Sequence, residues 1–143
     1  MKVKEILTRH PSCVPAGATI EQAARQMKIL DIGMLPVCDE NRMIGSITDR
    51  DIVIRGVAQA LNPRAALVRQ IMTEDMVCCF EDQDVEEAAR LMEDHHIRRL
   101  PVLNERKQLV GIISVSDLAT RRAEMLAAEV LARVSMPPAL IDQ

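Results

Sequence analysis

The chain repeats one segment, at about residues 6–55 and again at about residues 71–120, and this duplication constrains the fold more than any other feature. Each copy contains a Leu-Pro-Val tripeptide and then a glycine, followed by a hydroxyl residue and an aspartate three positions apart. A repeated supersecondary unit favours similar substructures that bury a continuous core together. Because the polar signature is repeated as well, we infer two related binding sites and not one catalytic centre.

The length of 143 residues fits one unit made of two halves that share a core. A half alone lies near the lower size limit for a stable core. We therefore predict a first motif over residues 1–60, a linker over 61–70, a second motif with an extended C-terminal helix over 71–134, and a tail over 135–143.

Each copy has the pattern of a β-α-β-β-α unit. Thr19 with Gln22 three residues later predicts a capping box, and the apolar residues that follow recur at helical spacing. Asp84 with Glu87 predicts the same arrangement in the second copy. The final helix is expected from Ser116 to about residue 134, where Pro137 and Pro138 stop it.

Short apolar strands are predicted at residues 34–38, 43–48 and 109–114. Pro36 lies inside the first of them, which implies an edge position or an unpaired N–H. Gly45 lies inside the second, which indicates close approach by a ligand or by another backbone segment. A helix is expected from Asp49 to near Ala60.

Composition argues against several partners. The chain has one Phe and no Trp or Tyr, so it offers no aromatic platform on which single-stranded bases could stack. Residues 1–70 carry ten basic and seven acidic side chains and residues 71–143 carry eight and fourteen, so neither half is a basic patch. Apolar runs stay well below membrane-spanning length. We predict neither a nucleic-acid partner nor a membrane partner.

The four cysteines contain no C-x-x-C pair, and the N-terminus lacks the form of a signal peptide. We therefore expect free thiols in a reducing cytoplasm. Cys13 and Cys78 occupy equivalent places in the two copies and are predicted to be small buried hydrophobes.

The two Leu-Pro-Val strands and the two G-x-x-[ST]-x-x-D stretches carry a family resemblance. Each copy resembles the CBS motif, named after cystathionine β-synthase, and the tandem pair resembles a Bateman module of the small stand-alone bacterial type. The resemblance implies an α/β fold in which two pseudo-symmetric β-α-β-β-α repeats pack sheet to sheet. It also implies regulation by a bound ligand, with no catalysis and no required cofactor.

Proteins of this family bind adenosine-containing ligands (AMP, ADP, ATP, S-adenosylmethionine or NAD-type molecules) in clefts between the repeats. Carried over by position, Thr48 and Asp51 would serve one cleft, and Ser114 and Asp117 the other. The resemblance implies that the aspartate accepts hydrogen bonds from ribose hydroxyls and that the hydroxyl residue touches phosphate.

Other implied contacts come from the strands. Backbone around Leu-Pro-Val, at Pro36 and Pro101, would hold the base. Arg99 precedes the second Leu-Pro-Val and would meet phosphate, whereas Met34 holds that position in the first copy. The two clefts are therefore expected to differ in phosphate affinity.

Each of these residues also has a simpler structural interpretation. A hydroxyl followed by an aspartate is a helix cap, which is compatible with a ligand role. Arg50 either forms a solvated pair with Asp49 or reaches a phosphate from the helix start. Arg98 and Arg99 either lie solvated beside local acidic groups or clamp a phosphate.

Adjacent His95 and His96 seldom present both rings to one ion, so we predict no metal site. A homodimer is expected, because helix residues Leu118, Met125 and Leu131 form an apolar face. An effector would then be a separate protein or the dimer itself. The alternative to a ligand sensor is a ligand-free dimeric scaffold or stress-associated interaction protein, and no sequence feature supports an enzyme.

Overall fold

Strands and helices alternate along a mixed α/β chain with two sheets, which confirms the predicted fold class. The computed structural model describes residues 1–120 and 124–137. After a short 3-10 turn at Val3–Glu5, the elements are β1 (Thr8–Arg9), β2 (Val14–Pro15), α1 (Ile20–Leu30), β3 (Met34–Asp39), β4 (Arg42–Thr48), α2 (Asp49–Asp51) with a π-helical continuation (Ile52–Val57), α3 (Val68–Ile71), β5 (Cys79–Phe80), α4 (Val85–His95), β6 (Arg99–Leu103), β7 (Leu109–Ser114), α5 (Val115–Thr120) and α6 (Glu124–Val134).

The chain divides into two compact units that do not follow the order of the sequence. The first-repeat unit comprises Ser12–Met76, and the second-repeat unit comprises Met1–Pro11 together with the described residues from Val77 onward. Each lead-in segment therefore packs with the other repeat. The predicted motifs are continuous in sequence, whereas the second-repeat unit combines an N-terminal segment with the C-terminal half of the chain.

The first-repeat unit contains a three-stranded sheet in the order β2-β3-β4. β2 runs parallel to β3, and β3 runs antiparallel to β4. The β3–β4 hairpin turns on Glu40 and Asn41, both with positive φ, as a two-residue type I′ turn requires. Thr73 extends the sheet beyond β4, because its N–H and C=O bond Ser46 at 2.8 and 2.9 Å.

The second-repeat unit contains a four-stranded sheet in the order β1-β7-β6-β5. Its outer strand β1 comes from the N-terminus and pairs with β7, with Thr8 opposite Ile112. In both units a lead-in threonine thus sits beside the strand that precedes the polar signature. Of the two alternatives predicted for Pro36, the edge position is wrong, because β3 is the inner strand of its sheet. β2 pairs with Val37 and Cys38, which follow Pro36 in β3. The missing N–H of Pro36 therefore interrupts no pairing with β2.

Each strand glycine makes room for a lead-in segment. A Cβ at Gly45 would lie 2.7 Å from the carbonyl oxygen of Thr73, and one at Gly111 would lie 2.6 Å from that of Thr8. Distances this short leave no space for a side chain. The close approach predicted at Gly45 is therefore made by another backbone segment.

The first helix of each repeat begins where the sequence predicted, but only the one in the first repeat has the predicted capping box. Thr19 Oγ1 accepts from Gln22 N at 3.2 Å and Gln22 Oε1 accepts from Thr19 N at 2.9 Å, which confirms the predicted capping box. The capping box predicted for Asp84 is wrong, because its carboxylate forms an ion pair with Lys2 Nζ at 3.1 Å and makes no cap bond.

The last predicted helix corresponds to α5 and α6. Residues 121–123, which lie between these two helices, and Pro138 are outside the described residues. Leu118, expected on an exposed face, is fully buried in the core of the second-repeat unit, whereas Met125 and Leu131 are exposed. Over the described residues, none of the helices combines the length and the apolar character that crossing a bilayer would require.

Candidate functional site

The first site forms where β4 ends and α2 begins. Thr48 Oγ1 accepts from Asp51 N at 3.0 Å, and Asp51 Oδ2 accepts from Thr48 N at 3.0 Å. This reciprocal pair is a capping box, so the structural role predicted for the two residues is real. It also fixes the Asp51 carboxylate in one orientation, with its second oxygen directed away from the cap.

Two residues outside the predicted set complete this first site. Thr73 Oγ1 lies 3.5 Å from both carboxylate oxygens of Asp51. Arg55 Nε lies 3.9 Å from Asp51 Oδ1, and its Nη1 donates to the carbonyl oxygens of Ile71 and Met72 at 3.4 and 3.3 Å. The side chain of Asp51 is 13% exposed, so this carboxylate is largely surrounded by protein groups.

The second site repeats this geometry at the junction of β7 and α5. Asp117 Oδ2 accepts from Ser114 N at 2.9 Å and from Ser114 Oγ at 3.0 Å, while Ser114 Oγ accepts from Asp117 N at 3.1 Å. Thr8 Oγ1 donates to Asp117 Oδ1 at 3.2 Å. Thr8 takes the place that Thr73 holds in the first site, and it makes the shorter contact.

Strand register places different side chains beside the two hydroxyl residues. Met34 lies directly opposite Thr48, and Arg99 lies directly opposite Ser114. Residues paired across antiparallel strands share one face of the sheet. The exposed Arg99 therefore stands next to the second site, while an uncharged side chain holds the matching place in the first.

The two strand prolines lie on the same faces. Pro36 is opposite Ser46, two residues before Thr48, and Pro101 is opposite Ile112, two residues before Ser114. Both prolines are buried, so each places an apolar ring on the strand face that carries the hydroxyl residue.

The structure does not bring every predicted residue to a site. Arg50 is exposed, and its backbone N–H donates to Asp49 Oδ1 at 2.8 Å. Over residues 1–120 and 124–137, no ion pair joins its guanidinium to Asp49, the partner predicted for it. His96 closes α4 in a left-handed conformation, with φ of 56°. Among the described residues, no three His, Cys, Asp or Glu side chains cluster as a metal site would need.

The thiols differ from the sequence prediction. All four are free, but Cys13 is exposed and Cys78 is half-buried, so the expectation that both are buried is wrong. Burial, and then the neighbouring Cys13 thiol, raise the pKa of Cys38 to about 12. Burial raises the pKa of Cys79 to about 12 as well, so both of these thiols stay protonated at neutral pH.

Sequence reasoning missed Thr8, Thr73 and Arg55. The signal for the threonines was present, because Ile6-Leu7-Thr8 and Ile71-Met72-Thr73 repeat in register. Their role needed the exchange of lead-in segments between units, which sequence order does not reveal.

Comparison with known proteins identifies the family of the chain. The family model of the CBS domain matches residues 3–56 and 68–124. Hypoxic response protein 1 of Mycobacterium tuberculosis is 34% identical over 138 residues, which cover 96% of either chain. The crystal structure of Hypoxic Response Protein I with two coordinated zinc ions superposes with a TM-score of 0.75 at 36% identity, covering 84% of this chain and 98% of that one.

A second solved structure carries a nucleotide. The CBS domain protein PAE2072 from Pyrobaculum aerophilum, complexed with AMP, has a TM-score of 0.73 at 28% identity and covers 90% of this chain and 99% of its own. On the repeated family match and these similarities, the chain belongs to the CBS domain family, as a tandem pair of the hypoxic response protein type.

Proposed function

We propose that this protein is a non-catalytic regulatory module that binds adenosine-containing ligands such as AMP, ADP, ATP, S-adenosylmethionine or NAD-type molecules. The observation that carries the proposal is the pair of oriented carboxylates, Asp51 and Asp117, each fixed by the backbone N–H of a hydroxyl residue at a strand end. The AMP complex of the 28%-identical PAE2072 supports this ligand class. The position in clefts between the repeats, which the family resemblance implies, remains a prediction.

A fixed carboxylate suits a ribose diol. It is an acceptor-only group with about four lone-pair positions, and it can receive two O–H donors. At Asp117 the Oδ2 oxygen is used by Ser114, whereas Oδ1 receives one bond from the exposed Thr8. A ribose hydroxyl can therefore add to Oδ1 or displace Thr8, without breaking the cap that orients the carboxylate.

The remaining predicted residues have matching roles. Thr48 and Ser114 would contact phosphate, the backbone at Pro36 and Pro101 would hold the base, and Arg99 would neutralise phosphate charge at the second site. Arg50 is a weaker candidate, because it does not lie opposite a hydroxyl residue of the signature as Arg99 does.

Regulation would proceed by a population shift, in which the ligand favours the arrangement of the protein that it binds more tightly. No cofactor is required; the nucleotide is itself the regulatory signal. The readout would be a separate effector protein or a homodimer, and the setting is a reducing cytoplasm. Exposed Met125 and Leu131 still support the homodimer, whereas the buried Leu118 no longer does.

Thermal denaturation with and without nucleotide tests the proposal. A ligand at 100 times its Kd adds about 2.7 kcal/mol of stability, which raises Tm by roughly 5–10 °C for a chain of this size. Asp117→Asn should weaken binding at its site by about 1–3 kcal/mol while changing the unligated protein little, because Asn also caps helices. Asp51→Asn is the matched change at the first site.

Ile29→Ala is the control, because Ile29 is 82% exposed and makes none of the contacts described at the two carboxylates. If millimolar AMP, ADP, ATP, S-adenosylmethionine and NAD all leave Tm unchanged, the sensor proposal fails. The ligand-free dimeric scaffold would then be the better description.

A further inference from the structure

The residues that follow the two lead-in threonines carry opposite charges. Glu74 and Asp75 follow the threonine that contacts the carboxylate of the first site. Arg9 and His10 follow the threonine that contacts the carboxylate of the second site. All four side chains are exposed. Each pair is adjacent in sequence to a residue of its site, so its charge acts on a ligand bound there.

The strand start beside each hydroxyl residue differs in the same sense. Gly33 and Met34 precede the first Leu-Pro-Val. Arg98 and Arg99 precede the second, and both are exposed. Among residues 1–120 and 124–137, no ion pair involves either of these guanidinium groups. The second site therefore has two cations at repeat positions where the first site has none.

The helix start adds an acidic group to the first site. Asp49 begins α2, and its N–H donates to the carbonyl oxygen of Gly33 at 2.9 Å. A Cβ on Gly33 would lie 3.0 Å from Asp49 Oδ2, so the glycine leaves room for this carboxylate at the strand start. Val115 holds the matching position in the second repeat, where it is buried and uncharged.

Charges of the other sign do not cancel this contrast. Arg50 is basic and lies at the first helix start, and Arg55 has an arginine at the same position of the second repeat. Lys28 in the first repeat and Glu93 and Asp94 in the second belong to the preceding helices. At the lead-in, strand start and helix start together, the first site has three acidic side chains and one basic side chain. The second has three arginines and a histidine.

We infer that the two sites select adenosine ligands of opposite charge at the 5′ substituent. The second site takes nucleoside phosphates, and the first takes nucleosides with a cationic 5′ substituent, such as the sulfonium of S-adenosylmethionine. This selection rests on the proposed function, because it concerns the same two carboxylates. Fixed charges of one sign around a site raise the local concentration of ligands of the opposite sign.

The side chains opposite the two hydroxyl residues suit these ligands. Arg99 offers a fork of N–H donors to phosphate oxygens. Met34 offers an uncharged, polarisable thioether in its place. At the first site, a sulfonium group would replace the phosphate contact proposed for Thr48. The protein would then respond to two classes of ligand and not to two copies of one.

Titration calorimetry of the full chain tests the selection at each site. Asp117→Asn protein reports on the first site, and Asp51→Asn protein reports on the second. The first site should bind S-adenosylmethionine at least about fivefold more tightly than S-adenosylhomocysteine, which lacks one methyl group and the sulfonium charge. The second site should bind AMP at least about fivefold more tightly than adenosine, and the first should not.

Exchange of the lead-in charges tests their cause. Glu74→Arg combined with Asp75→His copies the second lead-in into the first, and should abolish the preference of the first site for S-adenosylmethionine. Both residues are exposed, and an unchanged Tm without ligand verifies that folding is intact. Asp39→Lys is the control, because it reverses an exposed charge at the end of β3 far from Met34, and it should leave the preference unchanged.

Salt provides a measurement that needs no charge substitution. Raising NaCl from about 50 mM to about 500 mM should reduce both preferences to less than about twofold, since exposed charges are screened. Adenosine binding should change little. The same charge preference at both sites, or preferences that salt leaves intact, would overturn the charge selection and leave the sensor proposal standing. If none of these ligands binds either site, both proposals fail.

Discussion

The first-repeat and second-repeat units carry the same polar signature in different surroundings. In the second-repeat unit, α6 covers the outer face of α4 and α5, and Thr8 contacts Asp117 at 3.2 Å. In the first-repeat unit the corresponding helix face is open, and Thr73 contacts Asp51 at 3.5 Å with Arg55 close by. The duplication thus preserved the local cap geometry, while the packing and charge around it diverged.

This difference shows what a short motif can fix by itself. The hydroxyl and the aspartate satisfy each other through bonds across three residues, so their arrangement survives whatever packs around it. The cross-strand neighbour depends on a single position in the preceding strand, where Met34 faces Thr48 and Arg99 faces Ser114. One substitution there alters the charge beside a site while the capping box stays in place.

The largest expected difference concerns the two helix faces. Leu118→Ala should lower the free energy of unfolding by about 2–5 kcal/mol, because Leu118 is fully buried beneath α6. Ile52→Ala, at the matching place in the first repeat, should cost about 1 kcal/mol, because Ile52 is half-buried. Urea denaturation at low protein concentration, where contacts between chains contribute little, measures both.

Equal costs at these two positions would mean that the first-repeat face is covered in solution. Ile29→Ala serves again as the exposed control, with an expected change within about 0.5 kcal/mol.

Much of the fold was predictable because local signals and the repeat agree. Thr19 and Gln22 specified the start of α1, and the strands at Met34 and Leu109 begin where the sequence indicated. The capping box predicted at Asp84 was wrong, because Lys2, which is distant in sequence but adjacent in the fold, forms an ion pair with the Asp84 carboxylate. Local pattern carries no information about such a competing partner.

The candidate sites were predictable to the same extent. The hydroxyl–aspartate pairs could be read from spacing, but Thr8 and Thr73 reach them through exchanged lead-in segments. Leu118 was misplaced because helical spacing alone does not tell which of two apolar faces the core takes. Its burial depends on α6, whose packing is a tertiary effect.

Exchanging the residue types at positions 34 and 99 should exchange the phosphate affinities of the two sites. Arg99→Met copies the first repeat into the second, and should weaken ATP binding at the second site about tenfold, or about 1.4 kcal/mol. Met34→Arg should strengthen ATP binding at the first site by a similar factor. Adenosine, which lacks phosphate, should bind each variant as it binds the wild type.

Titration calorimetry can assign each effect to one site, with Asp51→Asn or Asp117→Asn used to silence the other. If adenosine affinity falls as much as ATP affinity in Arg99→Met, the arginine acts on the shape of the site and not on phosphate charge.

The smallest expected effect separates the two lead-in threonines. Thr8→Val removes a 3.2 Å hydrogen bond to Asp117 and should lower the free energy of unfolding by about 0.5–1.5 kcal/mol. Thr73→Val removes contacts of 3.5 Å, at the outer limit of hydrogen bonding, and should cost close to nothing. Valine matches threonine in shape and suits a strand, so packing is conserved. Urea denaturation of unligated protein decides the comparison, and a loss at Thr73 equal to that at Thr8 would show that the two carboxylates are held alike.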